Sequence, residues 1–304
     1  MTRVLLFGGS GFIGRHVRQT LVQDPRISAV DCPGRQRHDL IRDDVAGLTR
    51  LVAEVRPDAV VNCTGQLVGS AYELAQANTA VTAKLIDAVA AVGAGAGTPG
   101  IRLVRLGSAA EYGQTLPGHP VTEQDTALPV SAYGVCHLAG THLVELASAA
   151  GQVDGAVLRT FNPIGPGMHE ANLLGRAAAM FRRASDTAAD HVVLGRLGAY
   201  RDFVDVRDVA AAVAAAVLAP ALPERVFNVG SGHAVTARHA VTLLAAIAGF
   251  GGEIREDGHG PTRSAAVGWI SADISRAARV LGWAPAYDLA DSLKAVWAAE
   301  AMPR

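Results

Sequence analysis

Short apolar runs alternate with longer amphipathic stretches along the first half of the chain. Residues 4–7, 29–30, 59–62 and 103–106 are rich in Val, Leu and Ala, a pattern that predicts strands buried on both faces of a parallel sheet. Between and after them, residues 12–23, 45–55, 73–92 and 131–150 repeat apolar positions at helical spacing, and residues 157–159 predict one more strand. This strand–helix alternation is the signature of an α/β, doubly wound parallel sheet. Residues 93–100, made of Gly, Ala, Thr and Pro, read as a surface loop. Beyond residue 162 the rhythm loosens. Helices are expected over 173–184, 205–218, 271–281 and 289–299, with a further one capped by Thr236 and running to Ala248. Strands are expected at 192–194 and 226–229, and residues 251–263 read as a mobile loop.

Composition narrows the class. The 304 residues suffice for one large domain or two joined ones with a substantial core. Half of the residues are hydrophobic and only 5% aromatic, so that core is mostly Ala, Val and Leu. A net charge of -1 offers no basic field for nucleic acid and no polybasic membrane anchor. No span is long and apolar enough to cross a bilayer, and no signal peptide is recognised, so a cytoplasmic protein is expected. Cys32, Cys63 and Cys136 are scattered without ligand spacing and read as free thiols, with no metal site.

The first chemistry-bearing motif is Gly8-Gly9-Ser10-Gly11-Phe12-Ile13-Gly14, placed where the first strand ends and the first helix begins. Gly8 permits the tight turn, Gly11 lets the backbone approach a pyrophosphate, and Gly14 lets helix and strand pack closely, while the helix N-terminus favours the anion. These glycines point to a dinucleotide and to a Rossmann-type sheet. Residues 1–162 are assigned to that domain, completed by about 203–230, with 163–202 and 231–304 forming a smaller C-terminal α/β substrate-binding lobe. Asp31 closes the second strand, where a carboxylate bonds an adenosine ribose hydroxyl and favours NAD. Arg35 and Arg37 follow and suit the 2′-phosphate of NADP, so both cofactors stay open.

Further along, ordered motifs resemble the extended short-chain dehydrogenase/reductase family of nucleotide-sugar epimerases, dehydratases and ketoreductases. Asp39-Leu40 is similar to the pair flanking the adenine, and Cys63-Thr64-Gly65 to the strand end beside the dinucleotide. Asn78 matches the helical asparagine near the nicotinamide half. Leu106-Gly107-Ser108-Ala109-Ala110-Glu111-Tyr112-Gly113 looks like the segment that presents the catalytic serine, Ser108, and Ser131-Ala132-Tyr133-Gly134 like the tyrosine helix. Asn162 and Pro163 lie in a segment similar to the strand-to-loop that meets nicotinamide and substrate. The stretch from Arg201 to Asp208 resembles the element whose arginine reaches a nucleotide diphosphate, with Arg263 a second candidate. Leu281-Gly282-Trp283-Ala284-Pro285 resembles the C-terminal signature. The resemblance also implies a homodimer, for which Ala139, Gly140, Leu143, Leu146 and Ala147 suit either helix pairing or the core.

One position departs from the family. Its Tyr-x-x-x-Lys motif reads Tyr133-Gly-Val-Cys-His137 here. Four residues span about one helical turn, so both side chains share a face. The resemblance implies a hydrogen bond from this position to the nicotinamide ribose, which histidine can supply, but with an ordinary pKa of about 6.5 it is a weaker cation than lysine. Lys84 and Lys294 are the only lysines, and nothing in the sequence makes Lys84 the substitute. The resemblance implies that Tyr133 exchanges a proton with a substrate oxygen while hydride passes to or from nicotinamide, with Ser108 holding that oxygen. Ala109 and Ala110 stand where 4,6-dehydratases carry an acidic pair, which disfavours dehydration. Glu111 and His119 are read as structural or surface groups. Ketoreduction or keto-mediated epimerisation of a nucleotide-activated sugar is the leading expectation. NADPH-dependent reduction of a non-sugar natural-product ketone, with substrate-assisted proton transfer, is the second. A non-catalytic dinucleotide-binding regulatory protein is the third.

Overall fold

The computed structural model describes residues 1–93, 100–257 and 267–300. Six parallel strands form its central sheet, in the spatial order Val226–Val229, Asp154–Thr160, Arg102–Ser108, Ala59–Asn62, Thr2–Phe7 and Ile27–Asp31. The chain builds it as β1 (Thr2–Phe7), α1 (Phe12–Gln23), β2 (Ile27–Asp31), α2 (Val45–Val55), β3 (Ala59–Asn62), α3 (Ala71–Leu74), α4 (Val81–Gly93), β4 (Arg102–Ser108), α5 (Ala132–Ala149) and β5 (Asp154–Thr160). It then forms β6 (Pro163–Ile164), α6 (Leu173–Thr187), β7 (His191–Leu194), β8 (Tyr200–Asp202), β9 (Val204–Asp205), α7 (Val206–Leu218) and β10 (Val226–Val229). The last elements are β11 (Ala234–Thr236), α8 (Ala237–Ala248), β12 (Glu253–Glu256), α9 (Ser275–Leu281) and α10 (Leu289–Glu300).

The sheet is covered on both faces, as its near-continuous apolar strands require. Val4, Leu6, Val61 and Leu158 pack with α1 and α7, whereas Leu5, Phe7, Val60 and Val157 pack with α2, α4 and α5. Adjacent residues of one strand therefore enter opposite cores, the period-2 geometry of a pleated strand. A third cluster joins α6, α8 and α10 around Phe181, Leu244 and Leu293 beside the sheet. Strand order reverses at β1, which lies between β2 and β3, so a crevice opens there at the carboxyl ends of the strands. None of the described helices is long and apolar enough to cross a membrane.

Several elements differ from the sequence expectation. The helix expected over 73–92 is interrupted by a π-helical turn, Ala75–Ala80. The helix expected from 271 begins only at Ser275, because residues 271–273 bridge to Val121 and the Ala272 amide donates to Asp202. Tertiary partners there outweigh local helical spacing. Part of the expected loop 251–263 is β12, which pairs in parallel with β7, while residues 258–263 lie outside the described residues, as do 94–99. The short strands β8 and β11, paired antiparallel, carry no alternation strong enough to announce them.

Candidate active site

The glycine turn stands at the end of β1. Gly8 has φ +80°, and a Cβ there would come 2.8 Å from the Cys63 carbonyl carbon and 2.9 Å from the Thr64 nitrogen. A Cβ at Gly14 would collide with the Gly8 carbonyl, so the first turn of α1 lies directly on the turn. Gly11 caps α1 without a side-chain hydrogen bond, and no acidic residue occupies that first turn. The uncapped amides of α1, with Phe12 and Ile13 leading them, leave the positive end of the helix for a pyrophosphate. At the end of β2, Asp31 Oδ2 is buried and has no hydrogen bond, although Arg3 Nε lies 3.2 Å away as an ion pair. An acceptor of that kind fits a ribose hydroxyl. These features fit a dinucleotide in the crevice.

The loop expected from the sequence to flank the adenine is anchored from an unexpected direction. Lys84 Nζ donates to the carbonyls of Leu40 (3.1 Å), Ile41 (2.9 Å) and Asp43 (2.8 Å), so the one lysine near the site is committed to backbone. Asp39 accepts from the Ile41 amide, and its carboxyl is held below the ordinary range by that bond and by Arg35 and Arg42, against the opposing effect of burial. Arg35 lies 3.4 Å from Asp39 and Arg37 3.9 Å from Glu54, both largely exposed. Neither arginine is held firmly by such contacts, since exposed ion pairs are weak.

Across the crevice, Asn62 Oδ1 accepts from the amide and hydroxyl of Thr64, fixing the segment that runs on to Gly65. Asn78, in the π-turn, exchanges two hydrogen bonds with the Gln66 backbone, at 3.0 Å each. π-turns inside helices concentrate at functional sites because they re-aim one side chain without ending the helix. Burial, with a smaller effect from Cys32, pushes the Cys63 thiol up to about 12 and keeps it protonated.

Ser108 ends β4 and caps a single helical turn, Ala109–Glu111. Its Oγ accepts from the Ala110 amide at 3.2 Å, which leaves the hydroxyl proton available to donate. Glu111 is fully buried: Oε1 takes the Ser108 amide (2.9 Å), and Oε2 takes Arg159 Nε and the Thr141 hydroxyl (2.8 Å each). Helix α5 begins at the Ser131 cap and carries Tyr133 and His137, whose rings are 4.4 Å apart. His137 Nδ1 lies 3.3 Å from Nη2 of Arg105, a buried residue of β4. Burial, and then the Arg105 charge, holds the His137 imidazole well below its ordinary value of 6.5. The ring is neutral at pH 7, so His137 is not the partial cation that the sequence suggested.

Asn162 follows β5 with φ +22°, a conformation uncommon outside glycine, and its Nδ2 donates to the Asp202 carbonyl at 2.8 Å. Pro163 opens β6, paired with Val204. Arg201 lies in β8 and donates to the Tyr200 carbonyl, while the adjacent Asp202 is buried and accepts from Ser231, Gly232 and Ala272. Asp208 and Trp283 are framework residues: the indole donates to the Asp208 carbonyl, and the carboxylate takes the Ala286 and Tyr287 amides. Glu111 is likewise framework, and His119 is an exposed group 3.2 Å from Asp125. Of the residues named for helix pairing, Gly140 and Ala147 are buried in their own chain. Arg263 lies outside the described residues.

Arg105 is not among the site residues expected from the sequence. A cation inside the apolar run Leu103-Val104-Arg105-Leu106 was the available signal, because a buried arginine persists only with partners.

The glycine turn at the strand-order reversal, with a serine and a tyrosine on neighbouring elements, defines an NAD(P)-dependent enzyme of the oxidoreductase type. The chain belongs to the NAD dependent epimerase/dehydratase family, which it matches over residues 4–230. It is 39% identical to the dTDP-6-deoxy-L-talose 4-dehydrogenase (NAD(P)(+)) of Kitasatospora kifunensis, over 98% of this chain and 95% of that one. It is 31% identical to the GDP-6-deoxy-D-mannose reductase of Pseudomonas aeruginosa, over 97% and 95% of the two chains. The solved structure of RMD from Pseudomonas aeruginosa with NADPH superposes with a TM-score of 0.85 at 27% identity, each chain covered to 98%. UDP-glucose 4-epimerase of Thermotoga maritima, 22% identical, shares the fold with a TM-score of 0.83 and 98% coverage of both chains.

Proposed function

We propose that the protein interconverts a hydroxyl and a ketone at C4 of a nucleotide-activated 6-deoxy sugar, as a net ketoreductase or dehydrogenase. The observation that carries this reading is the 39% identity, over almost the whole of both chains, to a dTDP-6-deoxy-L-talose 4-dehydrogenase. A second relative, at 31%, is also a net redox enzyme of a nucleotide-linked deoxy sugar by its name. Ala109 and Ala110 beside Ser108 supply neither acid nor base for removing water, which argues against dehydration.

A nicotinamide cofactor bound in the crevice would supply the hydride acceptor or donor. The chain's own residues do the rest. Gly8, Gly11, Phe12, Ile13 and Gly14 hold the pyrophosphate, Asp31, Asp39 and Leu40 the adenosine end, and Cys63, Thr64, Gly65, Asn78 and Pro163 the remainder. Ser108 donates to the reacting oxygen and Tyr133 exchanges its proton, while Ala109, Asn162 and Arg201 border the sugar and its diphosphate. Asp31 favours NAD and the loosely held Arg35 and Arg37 admit the 2′-phosphate, so use of both cofactors is expected. The thiols of Cys32, Cys63 and Cys136 suit a reducing cytoplasm. Exposed Val135 and Leu146 on α5, with Tyr72 on α3, support a homodimer through this face, and the monomeric mass of a Leu146→Glu variant by light scattering tests it.

The decisive assay offers a dTDP-linked 4-keto-6-deoxyhexose with NADH or NADPH and follows cofactor absorbance. Stoichiometric loss of reduced cofactor with formation of the 4-hydroxy sugar is the expected result. Isomerised sugar without net cofactor turnover would overturn it in favour of an epimerase. No turnover of any nucleotide sugar, alongside reduction of non-sugar ketones, would move the substrate class.

A further inference from the structure

Arg105 is the fourth residue of β4 and only 2% exposed. Its guanidinium donates from Nε to the Thr82 hydroxyl (3.0 Å), from Nη1 to the Thr141 hydroxyl (3.4 Å) and from Nη2 to His137 Nδ1 (3.3 Å). These partners are two hydroxyls and an imidazole. The nearby carboxylate, Glu111, is already bonded by Arg159 and Thr141. Two guanidinium groups thus face one carboxylate, which leaves one positive charge in excess behind the tyrosine helix.

The helix is shaped around that charge. A Cβ at Gly140, three residues past His137, would stand 2.6 Å from Arg105 Nη2, 2.7 Å from Cζ and 2.9 Å from Nε. The arginine can lie against α5 at this point because residue 140 has no side chain. Since a guanidinium only donates, His137 Nδ1 must be its acceptor, and the proton of the neutral ring sits on Nε2. The ring also packs on Tyr133, with centroids 4.4 Å apart, so the imidazole touches the guanidinium through Nδ1 and the phenol through its face.

We propose that Arg105 is the cation of this active site, stabilising the Tyr133 phenolate through the neutral, Nε2-protonated ring of His137 in place of a lysine on the helix. Arg105 is a positioning residue in this scheme, acting through His137 and through its field in a site of low dielectric. The idea rests on the proton transfer by Tyr133 proposed above. Few other charges face the pair. On β5 Arg159 is neutralised by Glu111, and burial pushes the adjoining Tyr112 phenol up to about 12. On α4 Lys84 is held by the loop carbonyls and Asp87 is exposed. On α5 itself His142 and Glu145 are exposed and Cys136 is a buried thiol. On α3 Tyr72 and Glu73 are exposed and bonded to Gln76 and Ser70.

The test needs no substrate. Tyrosinate absorbance is titrated in the NAD-bound protein, and the titration of Tyr133→Phe is subtracted to isolate Tyr133. Arg105→Met is expected to move this ionisation at least about one unit upward, a tenfold fall in phenolate fraction at fixed pH. Arg105→Lys keeps the curve near the parent, and Gly140→Ala, which displaces the guanidinium without removing it, moves it in the same direction as Arg105→Met. Arg105→Met/His137→Lys, with the charge returned to the helix, brings it back. A titration of Arg105→Met that superimposes on the parent overturns the proposal. Should that variant fail to fold, an unshifted Gly140→Ala overturns it equally. Full turnover by Tyr133→Phe would instead remove the catalytic reading of Tyr133, a result separate from any of these shifts.

Discussion

Gly134 faces the carbonyl oxygen of Ala110 so closely that a Cβ at 134 would collide with it, and would also stand 2.9 Å from the Pro129 side chain. The residue after Tyr133 thus lets the tyrosine helix dock on the segment that carries Ser108. Gly134→Ala is expected to lift the start of α5 by a fraction of an ångström to an ångström. Misplacement on that scale lowers rates by about a hundredfold. Steady-state kinetics with the sugar substrate, beside cofactor binding by fluorescence, should show kcat falling while cofactor affinity holds. An unchanged kcat would mean that the two segments need not be in register.

Removing the phenol is the sharper test of chemistry. Tyr133→Phe should cost general acid–base catalysis of about 10²–10⁴-fold in kcat and leave cofactor binding intact. Measurement of kcat with thermal shifts on NAD or NADP checks both halves. A rate near that of the parent would count against any proton transfer by Tyr133.

His137→Lys by itself should harm the enzyme. The new ammonium would approach the Arg105 guanidinium that now lies 3.3 Å from Nδ1 of the imidazole, and two buried like charges repel strongly. The loss of kcat and of melting temperature should both be relieved in Arg105→Met/His137→Lys. An improvement in the single variant would show that histidine is only a weaker lysine.

The buried histidine also sets a pH dependence. His137 is held well below 6.5 by burial and by Arg105, and His16 is lowered too, chiefly by burial. In the window beneath 6.5 the unfolded chain binds protons that the folded chain does not, so stability is full above pH 6.5 and declines as pH falls. The slope is at most about 1.4 kcal/mol per pH unit for each histidine. Urea unfolding of cofactor-free protein at several pH values measures it, and His137→Gln should flatten the decline. A slope unaltered by that substitution would assign the effect elsewhere.

Glu111 anchors three elements at once, β4, α5 and β5. Glu111→Gln leaves the Arg159 guanidinium buried without its counter-charge. Breaking a buried pair in this way costs about 3–5 kcal/mol. Denaturant titration reads the change directly, and a loss below about 1 kcal/mol would place the pair among the weak surface type.

Much of the fold and part of the site were legible in the chain. The bounds of α1, α2, β3 and β10 follow from apolar periodicity, because buried strands and two-sided helices leave a strong local pattern. The glycine turn was readable because its residue types answer a backbone need that few others meet. The strands β8, β11 and β12 were not, since short edge pairs owe their form to partners distant in sequence. Ser271 and Ala272 lost their expected helix to bonds with Val121 and Asp202 for the same reason.

At the tyrosine helix the division is clearest. The sequence by itself determined that a tyrosine and a histidine share one helical face beside a dinucleotide turn, because spacing alone fixes a helix face. Only the tertiary structure decided where the charge sits. A cation on β4 reaches a helix residue 32 positions away through a gap left by Gly140, and burial, with that cation, disfavours a proton on His137. Burial and long-range contact are properties of the folded chain, and ionisation follows them.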